Sequence, residues 1–189
     1  MDHDAIRRVS QTLQRTLVAA FDGEHTYSVY VGPLDDLAAS EADVILFLYR
    51  VAVNADLRNA EHHVPAPQPG DPPIVYEGAL PLDLYYLLTV GKRNQGGELD
   101  GLGLLGFAMQ VLNDSPNLGG ADVQGETVRL SLDPVTSEEM SRIWTLFPAA
   151  NYRTSVVYIA SPVWIDPPAP RQPAPPVTHE HYPVEPIRT

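Results

Sequence analysis

The stretch Leu80-Pro81-Leu82-Asp83-Leu84-Tyr85-Tyr86-Leu87-Leu88-Thr89-Val90, followed by a Gly-rich turn and Leu99 to Met109, decides how the chain is built. Its first part is an apolar run of strand length, rich in residues that favour strands, with two adjacent tyrosines. Its second part places Leu102, Leu105, Met109 and Leu112 at the three-and-four spacing of one helix face. A strand that is apolar on both sides needs cover on both sides, and the helix that follows can supply one of them. The spacing therefore predicts a buried central strand over 80–90 and a helix over 99–113, closed near Asp114-Ser115-Pro116. Gly103 and Gly106 lower the intrinsic helicity of that helix by roughly 1 kcal/mol each relative to alanine, so close packing on the sheet is expected to offset them.

Working outward, residues 4–21 carry Ile6, Val9, Leu13 and Leu17 on one face and Arg7, Arg8, Gln14 and Arg15 on the other. This reads as an amphipathic helix, capped by Asp2 or Asp4. Thr26 to Val31 alternates as a short strand, and Leu34 to Ser40 suits a helical turn. Ala42 to Val53 is a second long strand, apolar at its start and alternating towards its end, so it should begin in the core and emerge from it. Asn54 to Glu77 contains Pro65, Pro67, Pro69, Pro72 and Pro73 and is expected to be an irregular loop.

Asn117 to Glu126 reads as loop and Thr127 to Leu132 as a strand. Thr136 and Glu139 form a capping box for a helix with Met140, Ile143, Trp144 and Phe147, ended by Pro148. Tyr152 to Ile165 is a final long strand, in which Pro162 demands an edge position or a bulge. Residues 167–189 are proline-rich and poor in large apolar side chains, so they are expected to form a disordered tail behind a domain of residues 1–166.

Composition narrows the function. Charged residues make up 19% and apolar ones 44%, ordinary for a globular chain of 189 residues, but the formal net charge is −12. Nucleic-acid binders need clustered Lys and Arg, so no nucleic-acid partner is expected. The absence of cysteine excludes disulfides and thiolate metal sites. No apolar run approaches the roughly 18 residues of a membrane span, and the acidic Met1-Asp2-His3-Asp4 start does not resemble a signal peptide, so a cytoplasmic protein with no membrane partner is expected.

Candidate chemistry is sparse. His62 and His63 stand beside Glu61, but adjacent side chains of an extended loop point apart, and a solvated loop is the expected setting. His179-Glu180-His181 has two-ligand spacing without a third ligand. Asp83 interrupts the apolar strand: it faces solvent or the strand mouth, or it is a buried carboxylate of the kind that clusters at functional sites. Gly101, Gly103 and Gly106 match G-x-G-x-x-G formally, but no second parallel strand with a terminal acidic residue follows at the required distance. No G-x-S-x-G elbow and no phosphate-binding loop is present. Neither catalytic residues, nor a metal site, nor a cofactor is assigned.

The order of segments resembles the cap, or tail-terminator, family of extracellular contractile injection systems, the phage-tail-like particles of bacteria. The resemblance rests on the N-terminal helix, Val44 to Asn54 (VILFLYRVAVN), Leu80 to Thr89 (LPLDLYYLLT), Leu104 to Asn113 (LLGFAMQVLN), Leu130 to Glu139 (LSLDPVTSEE), Ile143-Trp144 and Tyr152 to Val156 (YRTSV). The chain departs from it after Thr89, where Val90-Gly91-Lys92 replaces an expected aromatic or small residue. The resemblance implies an α/β (α+β) fold, a mixed β-sheet flanked by helices. It also implies a structural, non-enzymatic role: a homo-oligomeric ring, a hexamer, on the distal end of the inner tube, ending tube growth and anchoring the last sheath layer. Its partners would be further copies of the chain, the inner tube protein and the sheath protein. The alternatives are a baseplate or adaptor subunit of the same particle, or a small hydrolase using Asp83 with His62 or His63.

Overall fold

A computed structural model of the chain describes residues 1–21, 27–66, 68, 70–91 and 97–171. The strands are β1 (Val29–Val31), β2 (Val44–Val53), β3 (His62–Val64), β4 (Ile74–Tyr76), β5 (Leu80–Val90), β6 (Asn117–Leu118), β7 (Val128–Asp133) and β8 (Ser155–Ile165). The α-helices are α1 (Ala5–Phe21), α2 (Glu98–Asp114) and α3 (Ser137–Trp144), with short 3-10 turns at Ala38–Ser40 and Ala121–Val123. Six strands form one sheet in the order β1-β2-β5-β8-β7-β6. Only β1 and β2 run parallel; every other neighbouring pair is antiparallel, so the sheet is mixed.

β5 lies at the centre, and period-two alternation divides its side chains between two cores. Leu82, Leu84, Tyr86 and Leu88 face a large core with Val9, Leu13 and Leu17 of α1 and Leu104, Leu105, Ala108 and Leu112 of α2. Leu87 faces a second core with Met140, Ile143 and Trp144 of α3 and Val157 of β8. The two-sided cover demanded by the apolar run is thus supplied by α1 and α2 on one face and α3 on the other. β2 behaves as its pattern predicts: Val44 to Leu46 are buried, whereas Val51 and Val53 at its far end are exposed.

Three local devices fix α3 and the sheet. The Thr136–Glu139 capping box is formed, with Glu139 N–H donating to the Thr136 hydroxyl at 3.2 Å and Thr136 N–H donating to the Glu139 carboxylate at 2.9 Å. Opposite β5, the register of β8 slips so that Leu82 pairs Val163 but Leu84 pairs Ala160. Ser161 and Pro162 therefore oppose Asp83 alone, and the proline sits in a bulge of an interior strand rather than on an edge. At the end of β5, a Cβ on Gly91 would lie 1.8 Å from the Ala42 carbonyl oxygen, so only glycine fits the approach of β5 to the chain entering β2.

The structure corrects several expectations. The 54–77 segment is not wholly irregular: β3 and β4 pair antiparallel, His62 with Tyr76 and Val64 with Ile74, and its prolines lie outside both strands. The segment expected to be loop after α2 contains β6, which pairs β7. On α2 the buried face is rotated from the predicted one: Leu104, Leu105, Ala108 and Leu112 are buried, while Leu102 is exposed. Gly103 and Gly106 do not pack on the sheet, since a Cβ on either would meet nothing within 4 Å. The last described residues, Pro167 to Arg171, return to the β3–β4 hairpin, where Arg171 N–H donates to the Val75 carbonyl at 2.8 Å and its guanidinium meets Glu77 at 2.8 Å. The rest of the expected proline-rich tail, 172–189, lies outside the described residues.

Candidate functional site

The residues singled out for chemistry fall into two separate polar networks. Asp83 is half-buried in the β8 bulge, where its Oδ1 accepts from Asn54 Nδ2 at 2.9 Å and from Ser161 Oγ at 2.6 Å. Both donors come from the elements flanking β5, one just past the end of β2 and one in the bulge of β8. The carboxylate is occupied in closing the sheet where its register slips.

His62 is buried, contrary to the solvated setting expected for it. Its ring stacks on Trp164 with centroids 4.6 Å apart and planes inclined by 9°. Nδ1 lies 2.6 Å from Asp166 Oδ1 and Nε2 lies 3.2 Å from Glu126 Oε2. The other Asp166 oxygen meets the Met1 amino group, and Asp166 N–H donates to the Met1 carbonyl at 2.7 Å. His62 thus ties the hairpin to the end of β8 and to the loop before β7. His63 points the other way into solvent, near Glu61 at 3.5 Å, as alternation along an extended segment requires. Among the described residues the His62 network and that of Asp83 share no hydrogen-bond partner.

Among the described residues, no group of three or more His, Asp and Glu side chains could hold a metal ion. His179-Glu180-His181 lies outside them. The Gly101–Gly106 spacing falls within α2 rather than at a strand-to-helix turn, so it forms no phosphate cradle. Around α3, Met140, Trp144, Phe147 and Tyr152 line an open cleft, and the buried indole N–H of Trp144 has no hydrogen-bond partner among the described residues. Among the described residues, no helix is long and apolar enough to cross a membrane.

What the surface does offer is contact. Leu99, Leu102 and Phe107 are exposed on α2, Leu37, Leu146 and Tyr152 lie exposed near α3, and Val51, Val53 and Leu132 are exposed near the two edges of the sheet. β1 pairs only with Val44 to Leu46 of β2, and β6 pairs only with Val128 and Arg129 of β7. The remainder of each outer strand carries no strand neighbour on its outer side among the described residues. Sequence reasoning had β2 emerging from the core but gave no sign of an open β7 edge, because an open edge depends on where the neighbouring strand stops.

Comparison with known proteins gives this surface a context. Residues 8–179 match the model of the Pvc16 N-terminal domain. The chain belongs to the Pvc16 N-terminal domain family. Its fold is similar to the sheath/tube terminator of PVC, an extracellular contractile injection system solved by cryo-EM in the extended state, with a TM-score of 0.66 and 18% identity over 97% of this chain and 64% of that one. It is also similar to the tube-terminating cap of the anti-feeding prophage, with a TM-score of 0.58 and 19% identity over 93% of this chain and 60% of that one. The Pvc16-type domain described here thus spans somewhat more than half the length of either terminator chain. None of the curated proteins matches it in sequence. The mixed sheet with flanking helices expected from the sequence is the architecture this Pvc16 N-terminal domain has.

Proposed function

We propose that this protein is the structural cap, or tail terminator, of a contractile injection particle. In this reading it forms a hexameric ring on the distal end of the inner tube, ends tube growth and anchors the last sheath layer. Its partners are further copies of the chain, the inner tube protein and the sheath protein. It assembles in the cytoplasm into a particle that is released from the cell, and it neither turns over a substrate nor contacts nucleic acid.

The observation that carries this reading is the family match over residues 8–179, joined to a fold that superposes along almost the whole chain on two tube-terminating proteins. The site geometry supports a non-catalytic role. Asp83 and His62 are each engaged by partners of their own, and a hydrolase that used both would need them together. A ring subunit instead needs two different surfaces that meet by rotation, and open edges on both sides of one sheet are of that kind.

The test is negative-stain microscopy of particles from cells lacking the gene, scoring tube length and sheath state. Abnormally long, frayed or unsheathed tubes are expected. Particles of normal length with intact sheath would overturn the cap reading and leave a baseplate or adaptor role to be sought by locating the protein on the particle.

A further inference from the structure

The three most exposed large apolar side chains among the described residues are Leu37 at 85%, Leu99 at 83% and Tyr152 at 65%. They come from separate parts of the chain and meet at one end of the sheet, where β2 begins and β5 ends. There Gly91 N–H, just past β5, donates to the Asp43 carbonyl at 2.8 Å, and Thr89 pairs Ser155 at the start of β8. Leu37 stands in the turn before β2, Tyr152 just before β8, and Leu99 in the first turn of α2.

These side chains form one continuous surface. Leu102, also exposed, follows Leu99 by about one helical turn and lines a cleft with Tyr152. Tyr152 lines the α3 cleft with Trp144, their ring centroids 5.4 Å apart. Trp144 in turn lines a third cleft with Leu34 and Leu37. An apolar belt thus runs from α2 across the start of β8 to the turn before β2. Single exposed leucines are ordinary, but a contiguous belt marks a contact surface.

The belt is rimmed by charge of one sign. Asp35 and Asp36 precede Leu37, Glu41 follows the same turn, and Glu98 and Asp100 flank Leu99; all five are exposed. None of the five makes an ion pair among the described residues, and Asp36 accepts only a neutral partner's proton, from the Tyr30 hydroxyl at 2.6 Å. The cation at this end, Arg153, turns inward and donates to the Val90 carbonyl at 2.8 Å. The stretches 22–26 and 92–96, outside the described residues, carry Asp22 and Glu24 against Lys92 and Arg93 and cancel in charge. A second copy meeting the first through this same end would set carboxylates against carboxylates in a chain of net charge −12. The surface instead matches a partner whose apolar centre is ringed by Lys and Arg.

We propose that this end of the sheet seats on a partner protein presenting an apolar patch ringed by Lys and Arg, and that in the particle this partner is the inner tube protein. Leu37, Leu99, Leu102 and Tyr152 fill the apolar centre of the contact, and the five carboxylates meet its basic rim. The open edges of the sheet face sideways, towards neighbours within a ring, whereas the end of the sheet faces what the ring stands on. This inference rests on the cap reading for the name of the partner.

The test replaces Leu37 and Leu99, one at a time, by photoreactive benzoylphenylalanine in the full chain in particle-forming cells. Both positions are expected to give an adduct with the inner tube protein, in a tube peptide that carries Lys or Arg. The same group at Gln11, on the exposed face of α1, should give none. Asp35→Lys combined with Glu41→Lys should lower the adduct yield from Leu99 about tenfold, while Asp56→Lys, past the far end of β2, should leave it unchanged. Thermal melts matching the parent would show that the charge reversals act on the contact and not on folding. An adduct with the sheath protein or with a second copy would overturn the proposal. So would the absence of any adduct in particles whose ends are visibly capped, or a yield untouched by the charge reversals. These outcomes leave the cap reading standing, whereas tubes of normal length after gene deletion would overturn that reading and the naming of the tube with it.

Discussion

The hydroxyl oxygens of Tyr86 and Ser10 lie 2.8 Å apart, joining the centre of the sheet to the middle of α1. Tyr86 is fully buried, and Ser10 also donates to the Ile6 carbonyl at 2.9 Å, so the serine hydroxyl bridges its own helix and the core tyrosine. A phenol in that position keeps its ring in the apolar core and satisfies its polar end at the helix surface. Tyr86→Phe keeps the packing and removes one hydrogen bond, so it should cost about 1 kcal/mol, whereas Tyr86→Ala should cost about 3–5 kcal/mol. Urea denaturation of the two variants beside the parent checks the ratio.

The same burial sets an alkaline limit. Burial pushes the Tyr86 phenol well above its ordinary value of 10, only partly offset by the Ser10 bond, and pushes Tyr49 up to about 12, helped by the charge of Asp133. Both groups hold their protons more tightly in the folded chain than in the unfolded one. Their contribution is complete below pH 10 and is lost as pH rises through the folded values. Stability should therefore fall above pH 10, and Tyr86→Phe should flatten that slope. Tyrosinate absorbance followed through alkaline unfolding would show whether Tyr86 ionises only when the chain opens.

His62 is the joint between the hairpin and the sheet. His62→Phe keeps the stack on Trp164 but leaves Asp166 and Glu126 without their shared partner. The loss should be about 2–3 kcal/mol, chiefly the cost of a poorly solvated Glu126 left without its partner and an Asp166 left with the Met1 amino group alone. Amide exchange should rise first at β3 and β4, because few other contacts hold that hairpin down. Unchanged exchange there would show that the Arg171 contacts suffice.

The glycines should divide by environment. Gly91→Ala drives a Cβ into the Ala42 carbonyl and should destabilise by about 1–3 kcal/mol. Gly103→Ala and Gly106→Ala meet open space on a helix and should each stabilise by up to about 1 kcal/mol. Thermal melts of the three single variants would separate the two classes.

Thr136→Ala removes the hydroxyl that caps α3 and should cost about 1 kcal/mol. α3 is short and carries the cover of the second core, so the loss should appear as faster exchange of Met140 and Ile143 amides. Thr136→Ser, which keeps the oxygen, should behave like the parent.

Much of the architecture was legible in the residues because it follows from local periodicity. The apolar run from Leu80 to Val90 announced a strand buried on both faces, the capping box opened α3, and Pro162 called for an edge position or a bulge, of which the register shift displays the second. Local periodicity misled where two faces of a helix are both apolar. From Gly101 to Leu112 of α2 every position but Gln110 is Leu, Gly, Phe, Ala, Met or Val, so a stripe through Leu102 fitted as well as the buried one through Leu104. The exposed glycines were misread for the same reason, since a glycine carries no mark of the side it faces.

What the sequence determined by itself was the three helices, every strand of the large sheet except β6, and which strand must be central, since hydrophobic spacing and caps act over a few residues. What only the tertiary structure decided was the fate of His62 and Asp83 and the opening of the two sheet edges. The partners of His62 lie 64 and 104 residues away, those of Asp83 up to 78 residues away, and the open edges exist because β1 and β6 stop short. Those relationships are set by which distant backbone lies alongside, and local residue spacing does not encode that.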